Sequence, residues 1–401
     1  MATIQNITKD WIYVGANNRH LKLFENYYPL PRGVSYNSYV LLDDKTVLMD
    51  TCDASVQKEF LDNVKTALNG RPLDYLVIQH MEPDHGALID EILKLYPNVQ
   101  LVCNAKTMTM IGQFFDLDVT GKTLLVKEGD TLNTGHHTLS FIMAPMVHWP
   151  EVMMTYDATD KILFSADAFG SFNAIDGNLF ADEVDYEREW LADSRRYYAN
   201  IVGKYGAPVQ AVLKKASALD IQMICSLHGL IWRKNLSWLL DKYQKWSTYT
   251  PEEKSIVIVY ASVYGHTEEV ANLLAFKLGQ KGVKNIRVYD ASLTHPSWIV
   301  SETFRASHLV FASSSYNAGI FPAMENVLSD IKAHALCNRT VALIENGSWA
   351  PCAKNQMKAI LETLKGITFI GDGISIRSAL KPGQEAELDT LADELAKGLK
   401  N

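Results

Sequence analysis

His80-Met81-Glu82-Pro83-Asp84-His85 sets four metal-ligating side chains within six residues. It follows Tyr75-Leu76-Val77-Ile78, an apolar run that reads as a buried strand. A buried strand opening into His, Glu, Asp and His is a natural seat for metal ions. Pro83 and Gly86 mark the segment as loop rather than helix. In an extended chain His80, Glu82 and Asp84 would share one face. The competing explanation is a polar turn of accidental composition, and only the rest of the chain separates the two.

Working outward, size and composition set bounds. The chain has 401 residues, enough for two domains. Apolar residues make up 47% and charged residues 21%, ordinary for a soluble globular protein. A formal charge of -8 gives no electrostatic footing for nucleic acid, and no run of like charges forms a tail. Met1 to Asn6 has neither the charged leader nor the apolar core of a signal peptide. No uninterrupted apolar stretch approaches the ~18 residues that span a bilayer. Cys52, Cys103, Cys225, Cys337 and Cys352 are odd in number, scattered and never spaced Cys-x-x-Cys. That favours reduced thiols in a cytoplasmic protein over disulfides or an iron–sulfur or rubredoxin-type site in this chain.

Periodicity divides the chain in two. The first part is strand-rich, with short strands expected at Trp11 to Ala16, Ser35 to Leu42 and Thr46 to Asp50. Helical spacing runs from Val56 to Leu68 and from Ala87 to Tyr96. Further strands are expected at Val99 to Cys103, Leu124 to Val126, Leu139 to Met143, Met153 to Tyr156, Ile162 to Phe164 and Met223 to Cys225. Asp182 to Ala218 reads as mainly helical, and Gly229 to Trp246 as a helical exit. The polar, Pro-containing Thr248 to Lys254 is the expected boundary, giving domains 1–250 and 255–401. Beyond it, apolar strands at Ile256–Ala261, Ile286–Tyr289, Leu309–Ala312, Val341–Ile344 and Thr368–Ile370 alternate with helices. That is the pattern of a doubly wound, parallel five-stranded sheet.

Three more metal-ligating residues stand at expected strand ends of the first part: His148, Asp167 and His228. The order of these residues, and the strand and helix pattern around them, resemble the metallo-β-lactamase fold, which implies an αββα sandwich. The usual pattern there is His-x-His-x-Asp-His, which favours zinc hydrolases, whereas Glu82 stands at the second His. Shared between two ions, the set gives each one two imidazoles and a terminal carboxylate. His80, Glu82 and His148 would hold one ion, Asp84, His85 and His228 the other, with Asp167 bridging. Such open two-His-one-carboxylate sets suit ferrous iron and O₂-type chemistry, although spacing alone leaves zinc open. His20, His136, His137, His295, His308 and His334 stay outside the pattern as ordinary polar or loop residues.

The second part opens with a buried strand, a hydroxyl- and Gly-containing loop and a helix. The loop is Ser262, Val263, Tyr264, Gly265, His266 and Thr267. Backbone N–H groups and hydroxyls there suit a phosphate at a helix N-terminus. No Walker lysine and no G-x-G-x-x-G follow, so neither an NTPase nor a dinucleotide fold is indicated. The loop resembles the flavodoxin phosphate loop, with Tyr264 at its middle hydroxyl position, leaving Ser262 and Thr267 as the firmest phosphate contacts. Two further loops fall at the carboxyl ends of strands, where ligands of open α/β sheets bind. One carries Ser314, Ser315, Tyr316, Asn317, Ala318 and Gly319. The other carries Asn346, Gly347, Ser348, Trp349 and Ala350. Together they imply an FMN site, with Trp349 either covering the flavin ring or packed as a surface aromatic.

A metallo-β-lactamase-like domain with His-x-Glu-x-Asp-His, joined to a flavodoxin-like domain, resembles the flavodiiron proteins over nearly the whole chain. The resemblance implies a cytoplasmic enzyme that reduces O₂ to water, nitric oxide to nitrous oxide, or both, for detoxification. It implies FMN and two irons, and a homodimer or homotetramer of head-to-tail dimers, with the FMN of one subunit beside the diiron site of another. It also implies a tyrosine near the irons, matched by Tyr197, with Tyr198 adjacent. Two ferrous ions carry electrons enough to couple two NO molecules, and a reduced flavin supplies the further pair that O₂ requires. No rubredoxin or flavin-reductase module is expected after the last helix. Electrons are therefore expected from a separate rubredoxin-type protein or a reduced deazaflavin. Two other classes are a zinc hydrolase fused to a flavin domain and a flavin-only electron carrier. Zinc content with ester turnover would select the first. Gas consumption that survives loss of His80 or Asp167 would select the second.

Overall fold

A computed structural model describes residues 2–400. The chain forms two compact units. One runs through Tyr198 and resumes over Ala207–Tyr243; the other comprises Ala199–Gly206 and the chain from Gln244 onward.

The first unit is built on two sheets. One has the order Gln5–Asn6, Trp11–Tyr13, Tyr39–Leu42, Thr46–Met49, Tyr75–Val77, Gln100–Cys103, Thr123–Leu125. Tyr75–Val77 lies between two parallel neighbours, with Leu76 opposite both Leu48 and Leu101. Leu76 and Val77 are buried and Tyr75 is half-buried, which is why this strand reads as an unbroken apolar run. The helix Gln57–Leu68 buries Phe60, Asn63, Val64, Ala67 and Leu68, one stripe at helical spacing. It stops at Asn69, which takes a left-handed conformation and returns its N–H to Lys65 O. The second sheet orders Thr131–Asn133, Thr138–Met143, Met153–Asp157, Ile162–Phe164 and Met223–Cys225. Trp11 links the sheets: its ring packs 4.4 Å from Phe164 and its indole N–H donates to Asp157 Oδ2 at 2.8 Å. Burying a side chain of this kind stabilises the fold by roughly 1.5–3 kcal/mol.

The structure corrects several local expectations. The expected Ser35 to Leu42 strand is two, Val34–Tyr36 and Tyr39–Leu42. Asn37 between them donates its amide to Ser226 O and Gly229 O instead of to a ladder. The exit after Gly229 becomes helical only at Leu236–Ser247. A helix over Ala105–Phe114 has no counterpart in the periodicity; Asn104 caps it by accepting from the Lys106 and Thr107 N–H groups. Most important, Pro83–Gly86 is one turn of helix, not loop. Proline at the first helical position needs no N–H partner, and the N–H groups of His85 and Gly86 donate to Glu82 O. The chain therefore turns after Glu82, and Asp84 leaves the face it would share with His80 in an extended segment.

The second unit carries a parallel sheet in the order Ile286–Asp290, Glu253–Ala261, Ala306–Tyr316, Thr340–Asn346, Thr368–Phe369. This is the doubly wound order, with the first strand second from the edge. The expected last strand covers only Thr368–Phe369, and after Gly371 and Gly373, which adopt positive φ, a further strand that was not expected, Ile374–Ile376, joins the sheet beside Ile344 to Asn346. A Cβ on Gly373 would lie 2.6 Å from Leu343 O, so only glycine fits this approach. Ile258, Val310 and Ile344 pack against Val270 and Leu274 of the helix His266–Gln280 and Leu388 and Leu395 of Glu385–Lys400. Arg339 is buried and donates to the carbonyls of Tyr249, Thr303, Phe304 and Cys337 at 2.7–3.0 Å. Among the described residues, no helix is long and apolar enough to cross a membrane.

Candidate metal centre and flavin site

Each expected metal ligand stands where a strand of the first unit ends or turns. His80 follows Tyr75–Val77, Glu82 caps the helical turn, and Asp84 and His85 lie inside it. His148 sits in the connection from Thr138–Met143 to Met153–Asp157, Asp167 after Ile162–Phe164, and His228 after Met223–Cys225. All seven are buried. Ala166 takes a φ of 49° just before Asp167, a backbone cost that the surrounding structure must hold in place. Gly229, after His228, has a φ of 79°, and a Cβ there would lie 2.9 Å from Ser171 Cβ.

These side chains form two groups that meet at Asp167. In the first, Glu82 Oε2 lies 3.3 Å from His80 Nε2 and 3.0 Å from His148 Nε2. Asp167 Oδ2 lies 3.3 Å from His80 Nε2 and 3.0 Å from His148 Nε2. In the second, His85 Nε2 and His228 Nε2 are 3.1 Å apart. Asp84 is 3.4 Å from the former and 3.2 Å from the latter. Asp167 Oδ1 is 3.2 Å from His85 Nε2. Donors bound to one first-row ion at ~2.1 Å stand about 3.0–3.4 Å apart at ordinary bond angles. Both groups have that spacing. Both oxygens of Asp84, and Asp167 Oδ1, are buried without a hydrogen-bond partner. Buried carboxylate oxygens are costly in that condition, and a bound cation removes the cost. The residues therefore fit two metal ions.

The histidines are aimed by what lies behind them. His80 Nδ1 donates to Glu151 Oε1 at 2.8 Å, and His228 Nδ1 to Ser35 O at 2.7 Å. Each thereby turns its Nε2 lone pair into the cluster. The His228 loop is held further by Gly229 N–H donating to Ser35 Oγ and Tyr39 hydroxyl donating to Ser226 O. Burial opposes charge on the imidazoles, but neighbouring carboxylates outweigh it. His148 is pushed up to about 9 by Asp167 and Glu82, and His80 is raised by Asp167, Glu151 and Glu82. Burial would raise the carboxyls of Glu82 and Asp167, yet the histidines bring both below the usual range. The cluster is thus built to stabilise positive charge.

Tyr197 and Tyr198 separate clearly. Both are buried. The Tyr197 ring lies 5.4 Å from His228 and 5.1 Å from Phe172, and its hydroxyl has no hydrogen-bond partner. Tyr198 packs instead against Tyr243, at 5.0 Å. A cavity of about 370 Å³ opens onto Glu82 and Asp84, walled by Leu21, Leu23, Phe24 and Tyr36 with Glu25 at its rim.

Two other groups of the first unit bring acids and histidines together, Asp43 with Asp44 and His136, and His137 with Asp157 and Asp160. Hydrogen bonds already engage them. Asp43 Oδ2 accepts from Thr134 Oγ1 and from the His136 and His137 N–H groups. His137 lies in the loop between Thr131–Asn133 and Thr138–Met143 but is buried, with Asp157 at Nδ1 and Asp10 at Nε2.

In the second unit the three expected loops surround a cavity of about 340 Å³. Ser262, Val263, Tyr264, His266 and Thr267 line it from the first loop. Ser314, Ser315, Asn317 and Ala318 line it from the second, and Asn346, Gly347, Ser348, Trp349 and Ala350 from the third. Gly265, Tyr316 and Gly319 do not line it; Cys352 and Ser378 do. Gly265 contributes by shape: its φ of 92° starts the helix, and its N–H donates to Ser262 Oγ. Thr267 Oγ1 and Ser314 Oγ lie 3.0 Å apart at the cavity floor. A hydroxyl-lined pocket at a helix N-terminus fits a phosphate. Tyr264 and Trp349 are 91% and 87% exposed, flat surfaces available to a ring system rather than packed aromatics.

Residues 34–229 match the family described as ODP family beta lactamase. Over 375 residues the chain is 30% identical to the anaerobic nitric oxide reductase flavorubredoxin of Vibrio vulnificus, covering 89% of this chain and 74% of that one. It superposes on rubredoxin oxygen:oxidoreductase from the anaerobe Desulfovibrio gigas with a TM-score of 0.91, 26% identity and 99% of each chain covered. With the flavodiiron protein from Giardia intestinalis the TM-score is 0.93 at 25% identity, over 100% of this chain and 97% of that one. The chain belongs to the flavodiiron protein family.

Flavodiiron proteins are oxidoreductases that carry FMN and a non-haem diiron pair, and this chain has the two folds and the buried His, Glu and Asp cluster of that family. Glu151 and Ser35 escaped the sequence reading. Glu151 carried one faint signal, an acid three residues after His148. Ser35 carried none, because it acts through its carbonyl.

Proposed function

We propose that this flavodiiron protein reduces O₂ to water and nitric oxide to nitrous oxide, clearing both gases from the cytoplasm of oxygen-sensitive cells. The observation that supports this most is the pair of buried donor sets joined through Asp167, each with two imidazoles and a terminal carboxylate. When bound, two irons and FMN supply the reducing electrons and open positions for a diatomic gas. His80, Glu82 and His148 would hold one ion and Asp84, His85 and His228 the other, with Asp167 placed to serve both.

The remaining work falls to the chain. Glu82, a carboxylate where the hydrolase pattern has histidine, shifts the donor set toward iron. The mouth combines apolar walls, Leu21, Leu23 and Phe24, with the carboxylates of Glu25, Asp53, Glu82 and Asp84, a lining that admits a neutral diatomic and disfavours anions. Tyr197 keeps its proton, since burial foremost, then Asp167, Glu82 and Asp84, raise its phenol well above the ordinary range. Its unpartnered hydroxyl beside His228 is suited to donate that proton to a reduced oxygen atom. Ser262 and Thr267, which line the cavity, would hold the FMN phosphate. Trp349 and Tyr264 are exposed enough to cover the flavin ring and to meet a second copy. A homodimer or homotetramer of head-to-tail dimers would then bring the FMN of one subunit to the diiron centre of another. A rubredoxin-type protein or a reduced deazaflavin is the proposed donor.

The reading is tested by quantifying iron and FMN on purified protein and following O₂ and NO consumption with reduced rubredoxin as donor. Two irons and one FMN per chain, with consumption of both gases, is the expected result. Zinc in the cluster with ester turnover would refute it.

A further inference from the structure

The two donor sets differ in what stands behind their histidines. His80 Nδ1 donates to a carboxylate, Glu151 Oε1, at 2.8 Å. His228 Nδ1 donates to a neutral carbonyl, Ser35 O, at 2.7 Å. His85 Nδ1 is buried with no partner. Glu151 is 1% exposed. Its Oε1 also accepts from Met81 N–H at 2.9 Å, and its Oε2 has no partner. No cation neutralises it within these contacts, so its charge is turned on His80. Its own backbone is fixed, because Asn104 Nδ2 donates to Glu151 O at 2.6 Å.

We propose that Glu151 makes the two irons electronically unequal, so that in the one-electron-reduced protein the ferric ion stays on the His80, Glu82 and His148 side. The inference rests on the diiron reading above. An imidazole whose N–H is held by a carboxylate is a more basic ligand than one held by a carbonyl. The His80 side faces Glu82 and Asp167 Oδ2 directly, with Glu151 one ring behind. The other side faces Asp84 and Asp167 Oδ1 with no anion at His228 Nδ1; the buried Asp50 carboxylate also acts on His85, but its oxygens accept from Gln79 N–H, Gln79 Nε2 and His80 N–H and from no histidine ring. The higher ionic charge is therefore favoured beside Glu151. With two ferric ions bound, the first electron from an external reductant such as dithionite would go to the ion held by Asp84, His85 and His228. The second would go to the ion held beside His80, at a lower potential. Glu151 touches neither ion and acts through His80 as a positioning and tuning residue.

The test is a redox titration with electron paramagnetic resonance on wild type, Glu151→Gln and Glu151→Asp, each with iron counted. Glutamine keeps an acceptor for His80 and Met81 but removes the charge. The expected result is that the lower potential rises by about 59 mV for each tenfold loss of ferric preference. The gap between the two potentials narrows, the mixed-valent signal changes, and aspartate restores much of the gap. If glutamine releases one iron per chain and aspartate retains it, the same asymmetry is supported through affinity. Unchanged potentials and signal, an equal shift of both potentials, or loss of both irons in both variants would overturn the proposal. A wild type without iron would instead refute the diiron reading itself.

Discussion

Asp167 Oδ2 lies 3.0 Å from His148 Nε2, while the other oxygen of the same carboxylate is turned to His85. One side chain thus belongs to both donor sets. Replacing Asp167 by Ala is expected to reduce iron from two to below one per chain and to abolish gas consumption. Circular dichroism should remain close to wild type, because the strand Ile162–Phe164 ends before this residue. Iron analysis after desalting checks it.

Glu82 separates this cluster from a hydrolytic one. In Glu82→His the first set would gain a third imidazole and lose a carboxylate, which favours zinc. With equal iron and zinc offered to the metal-free protein, the variant should take up more zinc than wild type and lose diatomic reduction. Two irons and full activity would remove the argument from Glu82.

Protons and metal compete for the same nitrogens. His148, raised to about 9 by its carboxylate neighbours, is protonated at neutral pH when no cation is bound. Metal uptake should therefore release protons, and affinity should fall as pH drops below about 9. The stability of the metal-free form has the opposite sign. A raised folded-state value contributes stability that is fully present below the unfolded value of about 6.5 and is lost as pH rises through about 9. Denaturant midpoints of metal-free protein should thus decline from pH 6.5 to 9, while those of the metal-loaded protein should not.

Tyr197→Phe should lower turnover by about 10², the low end for general acid catalysis, with iron and FMN content unchanged. Tyr198→Phe, which alters a ring packed on Tyr243, should change thermal stability more than turnover. The comparison is a steady-state rate against a melting curve for each variant. Equal turnover in Tyr197→Phe and wild type would assign the proton to another group.

Much of this arrangement is legible in sequence, for physical reasons. His80, His148, Asp167 and His228 are conspicuous because residues of metal-ligating type rarely crowd the ends of buried apolar strands. The flavin loops are legible because a sheet with ligands at its carboxyl edge needs small and hydroxyl residues there. Contacts made through the backbone, such as Ser35 O to His228, leave no trace in residue type. The turn at Pro83 was hidden because proline breaks helices everywhere except at their start. Asn37 interrupts a strand for the sake of a loop nearly two hundred residues away, which no local pattern records.

The flavin site is open to a separate test. Thr267→Ala removes a hydroxyl 3.0 Å from Ser314 Oγ at the helix N-terminus. A hydrogen bond to a charged phosphate contributes about 1.5–3 kcal/mol, so FMN affinity should fall by about tenfold or more. Fluorescence titration of the flavin-free protein measures it, and iron content should stay the same.

The most direct measurement is anaerobic stopped-flow mixing of the fully reduced protein with O₂ and with NO separately, iron and FMN being counted on the same sample. Rapid, stoichiometric reoxidation of both cofactors, yielding water from O₂ and nitrous oxide from NO, is the predicted result. A protein with two irons and one FMN whose reduced form reacts with neither gas would contradict the account.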